Sequence, residues 1–197
     1  MPGCHLYHFF AYVSKLKYIL RWGLKRNVEN ENVKEHSFDV AVIAHALAII
    51  KNRYFDGDLN AERIAMMALY HDASEVLTGD LPGPIKYFNP SIAEAYKEVE
   101  KAAEQKLISM LPNEMRPDFL SLIDYKASGG EIGRLIKSAD IISAYLKCIQ
   151  EVDAGNAEFA VAKERVELLL SDNARPEVKF FLDKFVPSYR LTLDELG

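Results

Sequence analysis

Cysteine is nearly missing from this chain: only Cys4 and Cys148 occur, far apart in sequence. A disulfide framework of the kind that holds small secreted domains together is therefore excluded as the basis of the fold, and both thiols are read as reduced. No run of about 18 apolar residues, the length that could cross a bilayer as a helix, occurs in the sequence. The opening Met1-Pro2-Gly3-Cys4-His5 lacks a basic stretch followed by an apolar core, so the expectation is a cytoplasmic protein without membrane attachment. A large excess of one charge is absent too. With 24 basic and 29 acidic residues the formal net charge is −5, which argues against binding a nucleic-acid polymer but leaves room for a local phosphate pocket. Strand-like alternation, internal repeats and low-complexity segments are all lacking, and no His-Glu-x-x-His occurs, which removes the zinc-protease reading.

What the chain does have is helical periodicity, over a length sufficient for a single domain, 1–197, with a full core. Phe9, Phe10, Val13, Leu16 and Leu20 recur at three- and four-residue steps and predict a helix over 6–20, closed near Gly23. Residues 25–32 are polar and Asn-rich, a connecting loop. Asn32 with Glu35 resembles a capping pair, so the next helix is expected from about Val33 to about Ile50. Further helices are expected over 61–70, 92–110, 131–152, 157–170 and 177–185, with a short one between Pro112 and Tyr125, a break at Ser128-Gly129-Gly130 and a tail after Pro187. The fold class is all-α.

Within this pattern some polar residues sit where apolar ones are expected. His36 falls in the first turn of the second helix. His71 and Asp72 end the apolar run from Ala61, and Glu75 follows at the spacing that puts it on the same helical face if the helix continues. Gly79 and Pro82 break the chain there and hold Asp80 on a turn near the same place. Asp140 stands in the middle of the apolar helix over 131–152. Buried carboxylates need a counter-charge, and two imidazoles with two carboxylates suit a divalent transition ion (Co²⁺, Mn²⁺, Ni²⁺, Fe²⁺ or Zn²⁺) with positions left open. Taken singly, each has a plain structural explanation: a lone His is more often a core residue, and Asp140 could simply pair with Lys137. His45, nine residues after His36, faces the other side of its helix; His5 and His8 are read as exposed terminal residues.

The order His36, His71-Asp72, Asp140 is similar to that of the HD superfamily of metal-dependent phosphohydrolases. More closely, Arg21-Trp22, Glu35-His36-Ser37, the stretch from Tyr70 through His71-Asp72-Ala73-Ser74-Glu75 to Gly79-Asp80-Leu81-Pro82, Lys137-Ser138-Ala139-Asp140 and Phe185-Val186-Pro187-Ser188 resemble the YfbR-type 5′-deoxynucleotidases, nearly end to end. The resemblance implies an HD-domain helical bundle. It further implies a homodimer that hydrolyses 2′-deoxyribonucleoside 5′-monophosphates to deoxynucleoside and phosphate and discriminates against ribonucleotides. On the family pattern His36, His71, Asp72 and Asp140 hold the metal, and Glu75 and Asp80 are the acid/base pair. Arg21 orients the phosphate, Trp22 lies against the sugar, and Asp80, Leu81, Pro82 and Gly83 line the nucleotide pocket, with His36, Asp72 and Asp140 also reaching the substrate. The chain departs from the family at Gly83, where Thr is common. Two other readings remain: an HD phosphohydrolase for cyclic, triphosphate or alarmone nucleotides, and a non-catalytic helical binding domain. Retention of every ligand and both acids argues against the last.

Overall fold

The structure, a computed structural model, describes residues 6–86, 88–125, 130–172 and 175–197. Cys4, His5 and most of the break expected at 128–130 lie outside these residues. Eleven α-helices occur among the described residues, and the one non-helical pairing is an isolated antiparallel bridge between Leu20 and Asn32.

The helix expected over 6–20 is shorter. α1 is Phe9–Val13, a tighter 3₁₀ segment follows at Ser14–Tyr18, and the chain is extended by Ile19. The apolar periodicity is satisfied at Phe9 and Leu16, which are buried, but Phe10 and Leu20 are exposed. Leu20 is drawn out of the helix by pairing with Asn32. The Ile19 carbonyl accepts from the Val33 N–H at 2.9 Å, so the first segment is tied to the start of the next helix.

α2 (Val33–Tyr54) begins where its cap dictates. The Asn32 side chain accepts from the Glu35 N–H, and the Glu35 side chain accepts in return from the Asn32 N–H. It runs a turn beyond the expected end, to a corner where the Asn52 amide bonds the Leu59 backbone in both directions. α3 (Ala61–Leu69) is capped by Asn60. Val40, Ile43, Ala44 and Leu47 on the inner face of α2 meet Ile64 and Met67 of α3, forming the centre of the main core. Each of the larger of these side chains, Val, Ile, Leu or Met, contributes about 1.5–3 kcal/mol when fully buried.

After α3 the chain turns sharply and re-enters helix twice, as α4 (Glu75–Thr78) and α5 (Gly83–Lys86), so Pro82 precedes a new turn rather than preventing one. α6 (Pro90–Ser109), with Pro90 at its start and Asn89 as its cap, and α7 (Arg116–Ile123) follow. Leu107, Ile108, Leu111 and Ile123 enclose Phe9 and Ala73 in a second, smaller core, where the Phe9 and Phe119 rings meet edge-on at 4.9 Å. α8 (Gly130–Asp153) lies along α2 and contributes Leu135, Ile136, Ala139 and Ile142 to the main core; α9 (Ala160–Asp172) and α10 (Pro176–Lys184) pack against α8 and α2. The expected tail is a 3₁₀ segment, Val186–Arg190, and a final turn of helix, α11 (Leu193–Leu196). α2 thus touches α3, α8 and α10 at once, and it carries His36.

Candidate metal centre and nucleotide site

His36 is fully buried, one turn inside α2, and its Nδ1 lies 3.2 Å from the Ser143 hydroxyl on α8. His71 is also buried, and its Nδ1–H donates to the Ala68 carbonyl at 2.7 Å. These contacts turn each ring so that Nε2 faces inward, the arrangement by which outer partners orient a metal-binding imidazole. Both Nε2 atoms are buried and have no hydrogen-bond partner. They converge on Asp72 Oδ2, at 3.7 Å from His36 and 3.0 Å from His71, the latter off the line of a hydrogen bond. Ligand atoms of His36, His71 and Asp72 all fall within 4.8 Å of one another. Asp140, on α8, joins at the edge: its Oδ1 is 3.3 Å from His36 Nε2, and its Oδ2 takes the Lys137 ammonium at 2.7 Å. The ion pair with Lys137 and the contact with His36 therefore coexist.

Two unpartnered buried nitrogens against carboxylate oxygens fit a divalent cation, since leaving buried polar atoms unpaired is costly. Burial works against charge on Asp72, but His71 and His36 hold its carboxyl well below the usual range. Burial likewise opposes charge on Asp140, and His36, Lys137 and His71 outweigh it. His71 shifts upward: burial lowers it, and the charges of Asp72 and Asp140 more than compensate.

Glu75 does not continue α3. The chain passes through residues 70–74 in successive i to i+3 hydrogen bonds, Ala73 N–H to the Tyr70 carbonyl and Glu75 N–H to the Asp72 carbonyl, both 3.0 Å. Three residues per turn places residues 72 and 75 one above the other, so Glu75 still reaches the site, by a tighter winding than an α-helix. It is buried, its Oε2 has no hydrogen-bond partner, and burial together with Asp72 and Asp80 pushes its carboxyl up to about 10. Gly79, at φ +73°, makes the corner that a side chain would resist, and Asp80 follows it. Burial raises the Asp80 carboxyl while Arg21 pulls it back down. Arg21, His71, Asp72, Glu75, Asp80 and Asp140 line one cavity of about 660 Å³. Arg21, Trp22, Asp80, Pro82 and Gly83 line a second, of about 430 Å³, together with Val161 and Val166 of α9. Leu81 lines neither.

Sequence reasoning passed over Glu31, which it assigned to a connecting loop. Glu31 Oε2 accepts from Arg21 Nε at 3.1 Å and from Trp22 Nε1 at 2.8 Å. Tyr125 was passed over as well; it is buried, with its ring 6.4 Å from that of His71, and burial with Asp72 and Asp140 raises its hydroxyl. No local signal marks either residue, because the contacts that matter are made by other segments.

An all-helical bundle that brings two imidazoles and an aspartate together beside a second, flanking aspartate defines the HD-domain phosphohydrolase class. The same fold is found in an HD-domain phosphohydrolase from Listeria innocua (TM-score 0.81, 24% identity, covering 92% of this chain and 88% of that one). It recurs in the cyanophage S-2L HD phosphohydrolase DatZ, solved with dA and one catalytic Zn²⁺ (TM-score 0.62, 19% identity, 90% and 96% covered). Residues 8–189 match the family model described as 5′-deoxynucleotidase YfbR-like, and the chain belongs to that family. Relatives named 5′-deoxynucleotidase include one from Vibrio vulnificus, 54% identical over 96% of this chain and 98% of its own, and one from Yersinia pestis, 59% identical over 96% of each.

Proposed function

We propose that this chain is a metal-dependent 5′-deoxynucleotidase, hydrolysing 2′-deoxyribonucleoside 5′-monophosphates to deoxynucleoside and phosphate, with residues 1–197 as one catalytic domain. The observation that carries the reading is the pair of buried, unpartnered His36 and His71 Nε2 atoms facing Asp72, with His71 and Asp72 lining a cavity that Arg21, Glu75 and Asp80 also enter and His36 buried behind it. His36, His71, Asp72 and Asp140 would hold one divalent transition metal: cobalt, manganese, nickel, iron or zinc. When bound, such an ion lowers the pKa of water and neutralises charge on phosphoryl oxygens.

The chain's own groups do the rest. Arg21 stays charged: burial opposes this, but Glu31, Asp140, Asp72 and Asp80 outweigh it, and its planar fork suits two phosphoryl oxygens. Burial with Asp72 and Asp80 raises Glu75, while Arg21 draws Asp80 back down against its own burial, so the proton is assigned to Glu75 and the ionised role to Asp80. Glu75, the more strongly raised, donates its proton to the departing 5′-oxygen as the P–O bond breaks. Asp80 takes the proton of the attacking water, and exchange with solvent restores the pair. Trp22, with Pro82 and Gly83, forms the wall on the sugar side, where an indole leaves no room for a 2′-hydroxyl; Leu81 spaces Asp80 from Pro82.

A homodimer and a cytoplasmic setting, free of nucleic-acid polymers, complete the reading. Phe38, Val42 and Ile49 are exposed on the outer face of α2 at helical spacing, an apolar stripe suited to a second copy. Among the described residues no helix is long and apolar enough to cross a membrane. Sedimentation velocity should show a dimer for the parent and a monomer for Val42→Lys; a monomeric parent would refute the dimer. The function is tested by phosphate release from matched deoxy- and ribonucleoside monophosphates, after metal is stripped and each ion restored. Turnover of deoxy substrates only with metal is expected. Equal turnover of both sugars, or turnover of cyclic or triphosphate nucleotides instead, would overturn it.

A further inference from the structure

Glu31 lines neither of the two cavities, yet it touches both groups proposed to meet the nucleotide at its phosphate and its sugar. One oxygen, Oε2, accepts from Arg21 Nε and from Trp22 Nε1. Arg21 and Trp22 are adjacent in sequence, and in an extended chain adjacent side chains point to opposite sides. They reach one acceptor because Trp22 takes the left-handed conformation, φ +59°, which a bulky side chain resists and which persists only where surroundings over-determine it. Those surroundings are the Glu31 hydrogen bond, the edge of the Phe159 ring at 5.3 Å, and the turn in which the Lys25 N–H donates to the Trp22 carbonyl at 2.8 Å.

Glu31 is itself fixed. Its carbonyl accepts from the Arg21 N–H at 2.9 Å, and the next residue, Asn32, pairs with Leu20 and caps α2. Three and two residues earlier, the Val28 and Glu29 N–H groups donate to the buried Glu151 carboxylate on α8, which also holds Lys147 and the Asn156 amide. By taking the Nε edge of Arg21, Glu31 leaves the terminal Nη edge for the cavity.

We infer that Glu31 is a positioning residue that locks Arg21 and Trp22 into one rigid unit, so that a single carboxylate sets both the phosphate fork and the wall that reads the sugar. The inference rests on the proposed reaction and extends it: phosphate affinity and sugar choice are coupled through one side chain that does not touch the substrate.

The test is steady-state kinetics on dAMP and AMP for the parent, Glu31→Ala, Glu31→Gln and Arg21→Ala, with metal content and melting temperature measured for each. Trp22 is the chain's one tryptophan, so its fluorescence anisotropy reports the indole directly. Glu31→Ala should raise KM for dAMP by ~10-fold or more, the scale of a lost hydrogen bond to a charged group. It should also shrink the dAMP-to-AMP preference and free the indole, with kcat changed far less and metal content unchanged. Glu31→Gln keeps an acceptor for the indole but loses the charge on Arg21; it should retain sugar preference and anisotropy while KM rises. An unchanged KM in Glu31→Gln, or an unchanged sugar preference in Glu31→Ala, overturns the inference provided the parent hydrolyses dAMP and Arg21→Ala does not. A parent inactive on dAMP instead refutes the reaction, and the anisotropy of the variants then decides whether Glu31 holds the indole. If Glu31→Ala does not fold, the near-isosteric Gln variant carries the decision.

Discussion

At Glu75 and Asp80, two carboxyl groups with different surroundings divide one task. Burial beside Asp72 pushes Glu75 to about 10, whereas Asp80 faces Arg21 and is raised less. Replacing either with its amide removes a proton carrier without changing its shape, so Glu75→Gln and Asp80→Asn should each lower kcat by ~10²-fold or more, with bound metal retained. Phosphate-release kinetics alongside metal analysis would check this; normal turnover in Glu75→Gln would remove it from the acid role. Position 83 allows a milder test. A Cβ built on Gly83 meets nothing within 4 Å beyond its chain neighbours, and its φ is not in the left-handed region, so a threonine finds room there, though Pro84 follows and crowds a Cβ in helical backbone. Gly83→Thr should leave the melting temperature unchanged or slightly lowered and lower KM by roughly 2- to 10-fold if the hydroxyl finds the ligand. An unchanged KM would mean that the backbone already serves in its place.

The elements were legible where a local rule governs them and illegible where a distant segment decides. Asn32 and Glu35 marked the start of α2, and Asp140 stood out as a carboxylate in an apolar helix; both conclusions follow from neighbours within a turn or two. The first helix was overextended because its apolar spacing says nothing of the Leu20–Asn32 bridge, and Gly23 was expected to end a helix when Trp22 makes the left-handed turn instead. Glu75 lines the same cavity as Asp72, although the expected continuous helix gives way to a tighter turn. Glu31 could not be read at all, since its partners lie ten and nine residues back across a loop. That loop depends on Glu151. Burial raises this carboxyl, but Lys147, the Val28 and Glu29 N–H groups and Asn156 bring it down from 4.5 to about 2. A depressed value stabilises the fold at pH above the unfolded value, and the contribution fades as pH falls from about 4.5 towards 2. Urea midpoints of the parent and Glu151→Gln should therefore differ at pH 6 and converge towards pH 3; a constant gap would show that packing, not charge, is what Glu151 supplies.

Across the whole molecule, the proposed ligands come from α2, the turn after α3, and α8, so one cation would link segments more than a hundred residues apart in sequence. A ligand that binds only the folded state adds about 2.7 kcal/mol at a hundredfold excess over its Kd. At roughly 2–4 °C per kcal/mol for a chain of this size, chelation should lower the melting temperature by several degrees and restored metal should recover it. A melting curve indifferent to chelator would argue against a tightly held ion. α2 has a double part in this arrangement: it supplies His36 and is the helix on which α3, α8 and α10 all rest. A random-mutagenesis screen for dead variants would accordingly trace the inward stripe of α2 as heavily as the pocket, and hits at Val40 or Leu47 would mimic catalytic lesions while lying deep in the main core.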